Sequence, residues 1–209
     1  IDKEVIDHGR NLKVIAMNGI GLNHIDVNYA KDKGIAVLNV PDASIDSVAE
    51  LTIGLMLALA RNICSANSAV KSGIWNQNAN IGSELNGKTL GIIALGKIGS
   101  RVAKIAQVLG MRVITFDPFI TQEAAEAMNV KKVELDELLA VCDIITIHAP
   151  LTKDTQHMFN KETFARMKKG AYLVNVGRGG IIDEDALYEA LKSGHIGGFA
   201  ADVLTAEPP

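Results

Sequence analysis

Apolar residues collect along this chain in short runs separated by amphipathic stretches. From residue 90 onward the runs fall at Leu90–Leu95, Arg112–Phe116, Val130–Val133, Asp143–Ile147, Ala171–Val176 and Phe199–Val203. Short continuous runs of this kind predict strands buried on both faces. Between the first two, Ile98, Val102, Ile105, Ala106 and Leu109 share one helical face, and Gly110 follows where a left-handed residue stops a helix. Asp183 is placed to cap a later helix and Gly194 to end it. Strands alternating with helices predict an α/β domain, a doubly wound parallel sheet of six strands with helices on both faces.

Upstream the rhythm differs. Lys13–Ala16 reads as a strand, Ile25–Asp32 as a helix and Ile35–Val40 as a strand stopped by Pro41. That set supplies no third layer, so residues 1–41 read as part of one domain and residues 42–209 as a second. Ser47 and Glu50 have capping-box spacing and predict a helix from Ser47 to Arg61. Its Leu51–Ala60 stretch is the most apolar of the chain but too short to span a bilayer, which makes it a buried or subunit-interface helix. A polar link carrying the only tryptophan, Trp75, then leads to Gly87.

Composition narrows the function classes. The 209 residues are 48% hydrophobic and 22% charged, with a formal net charge of -3 and no acidic or basic block. That balance argues against nucleic acid or a membrane surface as a partner. Cys64 and Cys142 form no C-x-x-C pair, so neither a disulfide framework nor a metal site is expected, and a reducing, cytoplasmic setting is the default. The chain opens on Ile1 without a secretory leader and is read as a piece of a longer protein.

Candidate chemistry begins at Leu90-Gly91-Ile92-Ile93-Ala94-Leu95-Gly96-Lys97-Ile98-Gly99, where a strand runs through a glycine turn into a helix. The dinucleotide fingerprint is G-x-G-x-x-G. Gly96 lets the backbone approach a pyrophosphate, Gly99 lets the helix pack on the strand, and the helix N-terminus faces the phosphates. Ala94 replaces the first glycine, and an alanine is expected to serve only with negative φ. Asp117 ends the next strand, where a carboxylate accepts ribose hydroxyls and repels a 2′-phosphate, favouring NAD over NADP.

Parallel open sheets bind ligands at the carboxyl ends of their strands. His148-Ala149-Pro150, Val176-Gly177-Arg178, and Asp202 with Glu207 beyond it all follow such ends, as the glycine turn and Asp117 do. One crevice can therefore hold them all. Arg178, a fork-shaped permanent cation, suits a substrate carboxylate.

These residues carry a resemblance. His148 to Thr152, Thr155, Met158, Asn160, Phe164, Met167-Lys168, Gly170, Asn175 and Arg178-Gly179-Gly180 resemble the long signature of the D-2-hydroxyacid dehydrogenases. Asp202-Val203 with Glu207-Pro208-Pro209 resembles its next landmark, and Ser47–Glu50 and Glu84–Gly91 fit as well. The resemblance implies a Rossmann nucleotide domain inserted into a flavodoxin-like substrate domain, of which residues 1–41 are a remnant. It implies NAD as cofactor, a homodimer or homotetramer, and hydride transfer at C2 of a small-molecule 2-hydroxy acid. D-3-phosphoglycerate, oxidised in the first committed step towards serine, stands ahead of glycerate, glyoxylate and lactate.

By resemblance, Arg178 binds the substrate carboxylate and carbonyl, and Glu207 pairs with a catalytic histidine that the family places beyond the Glu-Pro-Pro landmark. Gly96, Lys97, Ile98 and Gly99 meet the pyrophosphate. Ala149, Val176, Gly177 and Asp202 line the nicotinamide half, and His148, Pro150 and Thr155 complete the cofactor set. Asn18 and Gly19 present N–H groups to the substrate, and Ile20 touches the cofactor. His195 follows Gly194 at the opposite sheet edge and reads as structural; His8 and His157 read as surface residues. His24, where relatives often carry Asn, and Met17, where relatives acting on phosphoglycerate often carry Arg, bear on the substrate rather than the reaction. Two other classes compete: an NAD-sensing corepressor and an NAD-holding hydrolase of the adenosylhomocysteinase type. Arg178 and the Glu-Pro-Pro segment argue against the second, and nothing in the chain favours the first.

Overall fold

A computed structural model describes every residue except 23, 77, 79, 80 and 209. The chain forms two compact units, Ile1–Ser47 and Val48–Pro209. The sequence placed a division after residue 41; helix α3 (Ile45–Ala60) runs across the observed one.

The first unit runs α1 (Lys3–His8), β1 (Val14–Met17), α2 (Val27–Asp32), β2 (Ala36–Asn39). The strands pair in parallel, Val14 beside Ala36 and Met17 beside Asn39, and Ile6, Ile15, Ile25, Ala30 and Ile35 form its core. The expected strand–helix–strand is present; α1, capped by Asp2, was not foreseen.

The second unit contains β3 (Thr89–Ile93), α5 (Lys97–Val108), β4 (Arg112–Phe116), α6 (Gln122–Glu126), β5 (Lys131–Lys132), α7 (Leu135–Val141), β6 (Ile144–Ile147), α8 (Lys161–Arg166), β7 (Tyr172–Asn175), α9 (Glu184–Lys192) and β8 (Gly198–Ala201). All six strands are parallel, in the order β5-β4-β3-β6-β7-β8. Two mononucleotide halves meeting at β3 and β6 give this doubly wound, Rossmann order. Every residue of β3 is buried, because helices cover both faces. Leu90 and Ile92 face a core with Met56, Val102, Ala106 and Val174, whereas Ile93 faces one with Leu138, Ile145, Phe159 and Leu173.

The predicted stops at Gly110 and Gly194 and the Asp183 cap hold. Gly110 and Gly194 take φ of +78° and +73°, and Asp183 accepts the Ala186 N–H at 3.1 Å. Two expectations near α3 fail. The helix starts at Ile45, so Ser47 lies inside it and donates to the Ser44 carbonyl at 3.1 Å rather than capping. The expected polar link contains another helix, α4 (Ile63–Lys71), set at 64° to α3 and without a buried residue. Ile63, Ala66 and Val70 do fall at helical spacing in it, a period the sequence reading passed over. Among the described residues no single helix is long and apolar enough to cross a membrane.

Candidate active site

The carboxyl edge of the six-stranded sheet gathers the candidate residues of the second unit. At the end of β3 the chain turns through Ala94 and Leu95 into α5, with Gly96 as N-cap. Ala94 has φ of +72°, so the expectation of negative φ is overturned. The fold requires the left-handed residue here. Ala94 N–H donates to the Phe116 carbonyl at 3.0 Å, and the Ala94 carbonyl lies so close to Gly99 that no Cβ fits there. An L-residue in this region costs about 1–2 kcal/mol. The methyl group is partly compensated by packing against the core beneath.

The turn is tied to the next strand by Asp117. Its Oδ2 accepts the Leu95 N–H at 2.8 Å and its Oδ1 the Phe119 N–H at 2.8 Å. Asp117 is therefore buried yet bonded, and each oxygen keeps a second lone pair for a hydroxyl. The space where a Gly96 side chain would project is open. Lys97 is exposed on the first turn of α5, Ile98 is half-buried and Gly99 is buried. An open glycine, free helix N–H groups and a carboxylate one strand away fit a dinucleotide.

At the end of β6, His148 places Nε2 3.2 Å from Thr146 Oγ1, while Nδ1 is buried without a hydrogen-bond partner. Burial pushes its pKa down to about 4, so the ring is neutral near pH 7. Ala149 is buried and Pro150 exposed. The Thr155 hydroxyl bonds within its own loop. Its Oγ1 donates to the Pro150 carbonyl at 2.7 Å and accepts the Thr152 N–H at 2.8 Å.

Beyond β7, Asn175 is fully buried, and both ends of its amide hold the next turn. Oδ1 accepts the Gly177 N–H at 3.0 Å and Nδ2 donates to the Arg178 carbonyl at 3.0 Å. A Cβ on Gly177 would come within 2.9 Å of the Ala149 carbonyl, so glycine lets this turn lie against β6. Val176 is buried and Arg178 half-buried, with Nη1 donating to the Gly177 carbonyl at 2.7 Å. After β8 come Asp202 and Glu207. Partial burial and then the Glu207 carboxylate hold Asp202 above the usual carboxylate range, with Arg178 pulling the other way. Glu207 Oε1 accepts the Leu204 N–H at 2.9 Å. Pro209 of the Glu-Pro-Pro landmark lies outside the described residues.

Asn18, Gly19 and Ile20 belong to the first unit, in the turn after β1. The Gly19 carbonyl accepts the Val40 N–H at 3.2 Å and the Ile20 carbonyl accepts from Asn39 Nδ2 at 3.0 Å. His195 lies at the amino edge of the larger sheet, its Nε2 3.0 Å from the Met167 carbonyl. His8, His24 and His157 are exposed. Among the described residues no group of His, Cys, Asp or Glu is arranged to hold a metal. Sequence reasoning missed the bracket made by Asn175; the signal available was a polar residue ending an apolar strand immediately before a glycine turn.

Residues 53–209 match the NAD-binding domain of the D-isomer specific 2-hydroxyacid dehydrogenases. The chain belongs to that family. It is 51% identical over its whole length to a D-3-phosphoglycerate dehydrogenase of Methanocaldococcus jannaschii, of which it spans 40%. It is 49% identical to a hydroxypyruvate reductase of Thermotoga maritima, of which it spans 67%. A solved D-lactate dehydrogenase from Aquifex aeolicus, in complex with NAD and lactic acid, superposes with a TM-score of 0.89 at 38% identity over 99% of this chain and 62% of its own. The larger unit is thus an NAD-binding domain.

Two outcomes follow for this edge. The protein should bind NAD more tightly than NADP, measured by titration calorimetry. Asp117→Asn, which keeps an acceptor for the Leu95 N–H but removes the charge, should weaken NAD by about ten- to a hundredfold, the loss of one charged hydrogen bond. Equal affinity of the parent for both cofactors would refute the ribose role. The second concerns acid stability. His148 has a folded pKa of about 4 against 6.5 unfolded, so the unfolded chain binds the extra proton between those values. Stability is present above the upper value and lost as pH falls towards the lower one. His148→Gln should lose less stability than the parent on going from about pH 7 to about pH 4.5 in urea unfolding. An identical loss in both proteins would remove His148 from the account.

Proposed function

We propose that the protein oxidises the C2 hydroxyl of a 2-hydroxy acid with NAD, D-3-phosphoglycerate being the first candidate. The observation that carries this reading is the convergence of Arg178, Asp202 and Glu207 with the glycine turn on one sheet edge. The residues there fit NAD, which when bound supplies the hydride acceptor. Arg178 binds the substrate carboxylate and its charge polarises the C2 oxygen. The hydroxyl proton leaves to a histidine that the family carries after the Glu-Pro-Pro landmark, and Glu207 holds that ring in one tautomer and favours its charged form. Neutral His148 adds no charge to the crevice. Glycerate, hydroxypyruvate and lactate share the carboxylate that Arg178 reads. The hydroxypyruvate reductase relative therefore supports a second reading, reduction of hydroxypyruvate at the same site.

The two 2-hydroxy acids are told apart by turnover. In full-length protein, D-3-phosphoglycerate should give NADH with kcat/KM above that for glycerate. Arg178→Ala should remove most activity and leave NAD affinity nearly unchanged. Residues 1–209 alone should bind NAD without detectable turnover, since loss of a general base commonly costs about 10²- to 10⁴-fold. Robust turnover by them would move the proton transfer to His148 or His195.

We also infer a homodimer in a cytoplasmic setting. Leu51 on α3, Ile63 and Val70 on α4, and Ile74, Trp75 and Ile81 beyond are all exposed apolar side chains in one stretch of chain. Contiguous exposed apolar surface marks an interface. Sedimentation at high micromolar concentration should give the mass of two chains or a multiple; a monomer would refute it.

A further inference from the structure

Glu184 opens helix α9 directly after its cap, Asp183. Its exposed carboxylate reaches the segment that follows β8, where Oε1 accepts the Thr205 N–H at 2.8 Å. The adjacent Leu204 N–H is held by Glu207 Oε1 at 2.9 Å. Gly179 lies against the same peptide, with no room for a Cβ between it and the Leu204 carbonyl. Gly179 in turn adjoins Arg178, whose carbonyl is gripped by the buried amide of Asn175. The Leu204–Thr205 peptide unit is therefore flanked by the arginine turn and the start of α9, and the peptide unit before it is held by Glu207.

The two bonds to this turn are not equivalent. The Glu207 bond closes the four residues from Leu204 to Glu207 on themselves, so it shapes the turn but leaves the turn free to move as a piece. Glu184 ties it to a helix rooted in the sheet's core through buried Leu187. We propose that Glu184 is a positioning residue that fixes the Leu204–Thr205 turn, and with it the Glu207 carboxylate, relative to the Arg178 guanidinium. The proposal rests on the reading that Arg178 and Glu207 serve the substrate. Its catalytic consequence is geometric: acid–base and carboxylate-binding groups must meet one small substrate at once, and a displacement of about 1 Å can cost on the order of a hundredfold.

A carboxylate in the first turn of a helix also complements the helix dipole. Two variants separate the roles. Glu184→Gln keeps the acceptor oxygen at the same reach and loses the charge. Glu184→Asp keeps the charge and falls short of Thr205. In the full-length protein assayed with NAD and D-3-phosphoglycerate, Glu184→Gln should stay within about threefold of the parent, since a neutral acceptor bonds roughly half as strongly. Glu184→Asp and Glu184→Ala should lose roughly ten- to a hundredfold in kcat, with NAD affinity and melting temperature near the parent's. Amide exchange at Thr205 should quicken in the Asp and Ala variants and not in Gln. Glu184→Asp at parental kcat, or Glu184→Gln falling as far as Ala, overturns the positioning role in favour of helix charge. Glu207→Ala serves as the control: if it keeps full turnover, the reading of the site itself fails and takes the proposal with it. If Glu207→Ala is impaired while all Glu184 variants are parental, only the proposal falls.

Discussion

The hydrogen bond from the Leu95 amide to Asp117 fixes the point from which the candidate site is laid out. It joins the turn after β3 to the end of β4, so the helix N-terminus and the carboxylate keep one separation. The same turn demands a left-handed residue at position 94 and a side chain no larger than hydrogen at position 99. A glycine at the first position would relieve strain but would cost about 0.5–1 kcal/mol more in backbone entropy. It would also give up a methyl group packed on the core, about 0.8 kcal/mol. These terms roughly offset the left-handed penalty of about 1–2 kcal/mol, so alanine is an affordable choice at this position.

The architecture was legible in the sequence wherever burial on both sides imposed a pattern. The six runs from Leu90 to Val203 became the six strands, trimmed at their ends where the chain leaves the sheet, as Ala94 and Leu95 do. Gly110, Asp183 and Gly194 were legible because each answers a local backbone need that few residues meet. Where no buried face disciplined the pattern, it misled. Ser47 had capping spacing but sits inside α3, whose apolar residues surround it on nearly all sides and blur its start. Helix α4, with no buried residue, lay in a stretch read as a polar link.

The site divides along the same line. Glycines and charged residues at strand ends stand out against apolar runs, so Gly96, Asp117, Arg178 and Asp202 could be picked from the chain. Their roles could not always be picked with them. Thr155 carries its hydroxyl into its own loop, and Asn175 and Glu184 act on backbone amides far from their own sequence neighbours or across a turn. Such partners depend on which segments the sheet order brings together. A spacing rule cannot find Glu184 and Thr205, because the bond exists only once β7 and β8 lie side by side.

That side-by-side placement also brings the arginine and the glutamate to one edge of the sheet. β7 ends in the Asn175 bracket that presents Arg178, and β8 leads into the turn that presents Glu207. Two parallel strands in fixed register deliver their following loops to the same edge, and Gly179 removes the side chain that would hold those loops apart. Asp202, which follows β8 at that edge, is raised mainly by partial burial and further by the Glu207 carboxylate, while a backbone hydrogen bond and the Arg178 charge pull the other way.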